Sequence, residues 1–269
     1  MGLRVNWEPG REGPPGEEGW AALLALADAV LVARSRTSRT DAGRLGLPGG
    51  AIAVHRKVYA YPGWGARLRG AFRTTFAAPS RAARERWALL RLGSLGRAPA
   101  PVALAERRVA GFLAEAILAS ATIEGGRPLD ALAPDPALAA SAGAAAGEMH
   151  RAGLVDLDLA PRNLVAAPGA AGWRVLKVDT ARLREGGPSD PARAEDLADL
   201  LAGLEPLWDR SALDALREAY AAAAGGTPEG LDAALERARA RARRREPRTP
   251  APPSRGGRSA PSSSGATPG

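Results

Sequence analysis

Residues 17–29, EEGWAALLALADA, space their apolar side chains as one face of a helix does, and predict one. Two runs rich in β-branched and apolar residues follow, AVLVARSRTSRTD (29–41) and GGAIAVHRKVYAY (49–61). They predict strands separated by the Gly/Pro turn GRLGLPGG. The stretch APSRAARERWALLRLGSLG (78–96) returns to helical spacing. Ser80 is placed to cap its N-terminus, Gly93 or Gly96 to stop it, and Trp87, Leu90 and Leu92 to form its apolar side. PVALAERRVAGFLAEAIL (101–118) predicts two strands around a polar turn. An Ala-rich helix is expected over PDPALAASAGAAAGEMHRAG (134–153), and alanine this dense implies close packing against a neighbour. NLVAAPGAAGWRVLKVD (163–179) predicts a compact hairpin. The remainder, from PARAEDLADLLAGLEPLW to LDAALERARARA, predicts helices.

The order is a strand-rich first part with an inserted helix, then a mostly helical second part that holds one hairpin. This is an α+β pattern in two lobes, with the boundary near Glu115–Leu129. It divides the chain into an N-lobe over 1–118, a C-lobe over 119–235 and a tail over 236–269. At 269 residues there is ample chain for both cores.

Charge changes the picture at one end only. The formal net charge is +8, but nine Arg against two Glu lie in residues 236–269, so the first 235 residues are nearly neutral. The Arg-rich stretch and the Pro/Ser/Gly sequence behind it lack large apolar groups and are expected to be disordered. A basic extension of this kind suits peripheral contact with an anionic membrane surface. A nearly neutral body without a stripe of stacking aromatics argues against nucleic acid as the partner. With no cysteine there is no disulfide, thiolate metal site or thiol nucleophile. The start has no signal-peptide core, and WAALLALADAVLVA is short for a membrane span, so a cytoplasmic protein is expected.

Composition also makes a few residues conspicuous. The chain holds two Lys (Lys57, Lys177), two Asn (Asn6, Asn163) and two His (His55, His150), while Arg is abundant. Asn163 lies in HRAGLVDLDLAPRNL, five positions after Asp158, and Asp179 follows the apolar run WRVLKV. In type, order and spacing this resembles the catalytic loop and metal-binding aspartate of the protein-kinase-like superfamily. The resemblance implies a two-lobed protein-kinase-like fold that uses ATP and Mg²⁺. It makes Asp158 the group that accepts or orients the hydroxyl proton, and Asn163 and Asp179 the metal ligands. The chemistry is consistent with that division: phosphoryl transfer needs Mg²⁺ on the phosphates, and one carboxylate kept off the metal.

The same resemblance makes Lys57, on a strand, the clamp on the α/β-phosphates, and Glu85 its helical partner. Glu85 comes 28 residues after Lys57, which requires an insertion around PGWGARLRGAFRTTF. Arg162 would neutralise the γ-phosphate or grip an anionic acceptor, and His150 would support the loop structurally. Asn6 and Lys177 carry no role that the sequence reveals.

The wider text, HRKVYAY, APSRAARERWALLRLGSLGRAPAPVALAERR, GLVDLDLAPRNLV and ARAEDLADLLAGL, is similar to the lipopolysaccharide core kinases over about Ala51 to Leu204. Those enzymes phosphorylate heptose or 3-deoxy-manno-octulosonic acid, which implies a sugar or lipid-linked sugar acceptor and a site of action at the inner membrane. Three departures stand against the superfamily pattern. Asp156 occupies the usual histidine position, Asp179-Thr180-Ala181 lacks the usual Phe-Gly, and RSRTSRTDAGRLG replaces a glycine-rich phosphate loop. They motivate an alternative, a pseudokinase scaffold that binds nucleotide without turnover. A kinase acting on protein or another small molecule is a further alternative. Acidic residues near Asp190–Asp199 would suit a cationic acceptor, whereas Arg162, Arg182 and Arg184 suit an anionic one.

Overall fold

The computed structural model describes residues 2–70, 74–76, 78–170, 172–187 and 189–245, so the disorder expected over 246–269 lies outside the described residues. Six antiparallel strands form the N-terminal sheet: β1 (Gly2–Trp7), β2 (Ala27–Arg34), β3 (Ser38–Leu47), β4 (Gly50–Ala60), β5 (Pro101–Val109) and β6 (Phe112–Ala121). Their spatial order is β1-β5-β6-β4-β3-β2. Ala110 and Gly111 join β5 to β6 with both residues left-handed, the backbone that a two-residue hairpin demands.

The two faces of this sheet hold two separate cores. Ile117, Ala119, Val54 and Leu45 pack under helix α1 (Gly16–Leu24) through Trp20 and Leu23. Tyr59, Ala116 and Leu118 pack under helix α3 (Arg81–Gly93) through Ala82 and Leu89. Side chains that alternate along β6 thus serve opposite layers, as the strand period of two requires.

Several local expectations shift. Helix α1 ends at Leu24, four residues before Asp28, whose φ of +52° belongs to the start of β2. The two expected strands are three, because GRLGLPGG contributes its first half to β3 and turns only at residues 48–49. The strand β1 had no sequence signal. The insertion before α3 contains a short helix, α2 (Gly63–Arg69). Ser80 does cap α3, accepting from the Ala83 amide. The apolar side of α3, however, is Ala82, Ala88, Leu89 and Leu92, and Trp87 and Leu90 are exposed.

The helical part begins with the short strand β7 (Arg127–Pro128) and holds α4 (Pro136–Arg151), α5 (Ala192–Leu204), α6 (Arg210–Ala224) and α7 (Leu231–Arg245) around a core rich in leucine and alanine. Close packing of the Ala-rich helix is literal. A Cβ on Gly143 would lie 2.1 Å from the Leu216 carbonyl oxygen of α6, and one on Gly147 would lie 2.7 Å from that of Tyr220. This approach lets Tyr220 reach His150 at the far end of α4.

Helix α7 overturns part of the reading of the tail. It continues to Arg245, ten residues past the expected boundary. Arg237 and Arg241 pair with Glu195, Arg239 with Glu205, and Arg241 also with Asp199. Ala234, Leu235 and Ala238 bury its inner face. The first arginines of the basic stretch therefore dock on α5. They occupy the acidic residues that had suggested a cationic acceptor, while Asp190 is held by Arg184 and Asp196 is buried. Among the described residues no helix is long and apolar enough to cross a membrane.

Candidate active site

Between the sheet and the helices lies a cleft of about 480 Å³ whose lining includes Arg34, Thr40, Lys57, Glu85, Asn163 and Asp179. Each side chain is delivered by a different local rule. Lys57 stands on β4 opposite Leu118 of β6, in the middle of the sheet. Glu85 belongs to the inward stripe of α3, in step with Ala82, Ala88 and Leu92, so the helix that packs the core also points a carboxylate at the strand. The two meet with Lys57 Nζ 3.2 Å from Glu85 Oε1. The other oxygen of Glu85 accepts from the hydroxyl of Tyr59, two residues beyond Lys57 on the same face of β4. Burial and the Glu85 charge push that phenol far up, so it stays a donor.

The hairpin of β9 (Leu164–Gly169) and β10 (Gly172–Lys177) does what its pattern predicts. Lys177 pairs with Leu164, and the Val178 amide donates to the Asn163 carbonyl at 2.9 Å. Asn163 and Asp179 therefore emerge together. The Asn163 amide nitrogen donates to the Asp158 carbonyl at 3.1 Å, leaving its oxygen end for a cation. Asp179, half-exposed to the cleft, places Oδ1 2.7 Å from Lys57 Nζ. Burial works against its ionisation, but the charge and hydrogen bond of Lys57, with Lys177 and Arg81, hold its carboxyl below the usual range. Asp158 is tied to the cleft through Arg162, a lining residue whose Nη2 lies 2.9 Å from Asp158 Oδ1.

Five of the six expected site residues, Lys57, Glu85, Arg162, Asn163 and Asp179, line the cleft, and the sixth, Asp158, pairs with Arg162; helix α2 lies within the long Lys57–Glu85 interval. The hairpin tip between β2 and β3 brings Arg34, Ser35 and Ser38 over the cleft, where a glycine-rich loop was absent. Among the described residues no cluster of three or more His, Asp or Glu could hold a metal by itself. Mg²⁺ does not need one, since it takes one or two protein oxygens together with substrate phosphates. The Asp179 carboxylate and the Asn163 amide oxygen fit that requirement.

Four contributors carried no recognised sequence signal. Thr180, fully buried, donates to the Glu85 main-chain carbonyl at 3.2 Å and ties the metal turn to α3. Tyr59 orients Glu85 as described. Asp196 on α5 accepts from the Asp156 amide at 2.6 Å and lies 3.2 Å from His150 Nε2. Lys177 is fully buried, and its Nζ lies 2.7 Å from Asp156 Oδ2. Composition holds one signal that could have flagged Lys177, since it is one of only two lysines in the chain.

His150 and Asp196 form a buried pair whose shifts oppose each other. Burial, with the Arg193 charge, pushes His150 down to about 3. Burial pushes Asp196 up to about 9, against the Asp156 amide. The folded pair then keeps one proton between those limits. Unfolded, its members titrate near their ordinary values of 3.8 and 6.5. Between those two values the folded and unfolded pairs each hold one proton, so the linkage is flat. Above 6.5 the unfolded pair has released its proton and the folded pair has not. Stability should therefore fall as pH rises from 6.5 towards about 9, by on the order of 1 kcal/mol per unit at most. Urea denaturation across this range checks it. Asp196→Asn, which keeps an acceptor for the Asp156 amide, should flatten the slope, and an unchanged slope would rule the pair out as its source.

Comparison with known proteins adds three findings. The family model described as "Lipopolysaccharide kinase (Kdo/WaaP) family" matches residues 38–220. No curated protein matches in sequence. The solved structure titled "WaaP in complex with acyl carrier protein" is similar over 88% of this chain and 98% of that one, with a TM-score of 0.59 at 18% identity. That likeness shows the kinase-like fold.

Proposed function

Because the chain belongs to the lipopolysaccharide kinase (Kdo/WaaP) family, we propose that it transfers the γ-phosphate of ATP to a sugar hydroxyl of a lipopolysaccharide core. The observation that carries this reading is the meeting of Lys57, Asn163 and Asp179 in one cleft, from three separate places in the sequence, with Asp158 joined to it through Arg162 and Asn163. Lys57, oriented by Glu85, would bind the α/β-phosphates, as its position between two carboxylates suits it to do. Asp179 and Asn163 would hold Mg²⁺, which supplies positive charge to the phosphates during transfer.

Asp158 would accept the proton of the attacking hydroxyl. Its carboxylate pairs with Arg162, and the Asn163 side-chain amide meets the Asp158 main-chain carbonyl instead of this carboxylate, an arrangement that would keep it off the metal position. Arg162 sits where it can release Asp158 and meet phosphoryl charge, since an exposed ion pair of this kind contributes little to stability. Exposed Arg182, at the edge of the same turn, favours an anionic acceptor such as an acidic or already phosphorylated sugar.

The altered histidine position does not weaken this reading. Asp156 is fully buried and paired with Lys177, so it leaves Asp158 and Asn163 in place. The test is transfer of label from γ-labelled ATP to purified lipopolysaccharide cores that carry or lack heptose. Label confined to one core is expected, and it identifies the acceptor sugar. Nucleotide binding without transfer to any core would favour the scaffold alternative instead.

A further inference from the structure

Lys177 is buried at the base of the hairpin, two residues before Asp179, and three oxygens surround its ammonium. It donates to the Val178 carbonyl at 2.6 Å and to the Asp179 carbonyl at 3.2 Å, and lies 2.7 Å from Asp156 Oδ2. Two of the three ammonium protons go to these carbonyls, and the carboxylate supplies opposite charge beside them. The two carbonyls bracket a backbone that needs support, because Asp179 has φ of +50°. That left-handed conformation is costly for a residue with a Cβ and persists only where its surroundings enforce it.

The pair also joins two segments that the chain keeps apart. Asp156 is the last residue of β8 (Leu154–Asp156), whose amide is fixed by Asp196 and which leads into the loop carrying Asp158. Lys177 ends β10 and leads into the metal turn. The carboxylate and the ammonium are 0% and 2% exposed, so little solvent competes with either. Neither Asp156 oxygen has a hydrogen bond of good geometry among the described residues, so the charge of Lys177, 2.7 Å from Oδ2, is what offsets its burial there. A buried ion pair is a poor device for stability alone, since apolar residues of similar volume often serve as well or better.

We infer that Lys177 is a positioning residue that holds the Asp179 turn in its left-handed conformation and, through Asp156, registers it against the catalytic loop. The inference rests on the reading of Asp179 as a metal ligand. Its consequence is specific: removing the pair should weaken divalent-cation binding more than folding or metal-free nucleotide binding.

The experiment uses the full chain with both partners replaced by apolar residues, Asp156→Leu/Lys177→Met, so that no charge is left buried alone. Binding of a fluorescent methylanthraniloyl-ATP is titrated with Mg²⁺, and again in excess EDTA, alongside thermal unfolding. The half-saturating Mg²⁺ concentration should rise on the order of tenfold, as removal of groups that orient metal ligands does. The EDTA affinity should stay within about twofold of wild type, well below the change that lost metal orientation produces. Amide exchange of the segment containing Val178–Thr180 should quicken in the free protein. A folded double variant with the wild-type Mg²⁺ dependence would overturn the inference. Should it fail to fold, Asp156→Asn/Lys177→Gln, which keeps polar contacts without charge, is read by the same criteria. If wild type itself binds nucleotide with no Mg²⁺ dependence, the kinase reading fails first, and the inference falls with it.

Discussion

Asp179→Ala should reduce Mg²⁺-dependent phosphate transfer by on the order of 10³-fold or more, the scale on which a single preorganised electrostatic contact to a developing charge acts. The size follows from a double loss. In the proposed function Asp179 would be one of two oxygen ligands to the cation, and it is also the nearer of the two carboxylates on Lys57, at 2.7 Å against 3.2 Å for Glu85. Without it, the ammonium keeps Glu85 alone and the metal keeps one amide oxygen. Folding should suffer little, because the side chain is half-exposed and the polar tie between the turn and α3 comes from Thr180. Steady-state transfer and Mg²⁺ titration of nucleotide binding check the two parts. Activity within tenfold of wild type would mean that Asp179 is not the ligand.

Asp158→Asn should lower kcat by about 10²- to 10⁴-fold, the range for loss of a positioned general base. Here the geometry allows a clean comparison. The Asn163 amide is held by the main-chain carbonyl of residue 158, which the substitution preserves. An asparagine oxygen still accepts from Arg162. Nucleotide affinity, Mg²⁺ dependence and melting temperature should therefore stay near wild type while kcat falls. Loss of nucleotide binding in this variant would instead place Asp158 on the metal. A kcat within threefold of wild type would remove it from the proton transfer.

Much of this site is legible in the sequence, because its residues are tied to short-range spacing. Asp158 and Asn163 are separated by one loop, and Asn163 and Asp179 by one hairpin whose strand pattern sets their meeting. Local backbone geometry translates such intervals into position directly. The Lys57–Glu85 contact was reachable as well, although of the expected apolar side Trp87, Leu90 and Leu92 only Leu92 is buried. A stripe of Ala82, Ala88, Leu89 and Leu92 with a glutamate inside it looks weaker by hydrophobicity. Alanine contributes little to such a pattern, and a charge counts against burial. It is the buried one because Glu85 finds Lys57 and Tyr59 there.

Other features depended on partners distant in sequence. Nothing near Gly2–Trp7 announces a strand; it becomes one because the edge of β5 is open to pair with it. The basic helix α7 reads as a solvated tail by composition, yet its arginines meet carboxylates more than thirty residues away. Thr180 looks like a departure from a familiar motif until its hydroxyl is seen on the carbonyl of Glu85.

The sequence by itself determined the α+β order, the two lobes, and the carboxylate, amide and lysine set of the cleft. The order and the lobes follow from periodicity, and the cleft set from the resemblance of its motifs to the protein-kinase-like superfamily. Tertiary structure alone decided what surrounds that set. Asp156 and Lys177 are both charged, and taken singly each belongs at a surface. They are buried because the fold sets them 2.7 Å apart, where each offsets the other's loss of water.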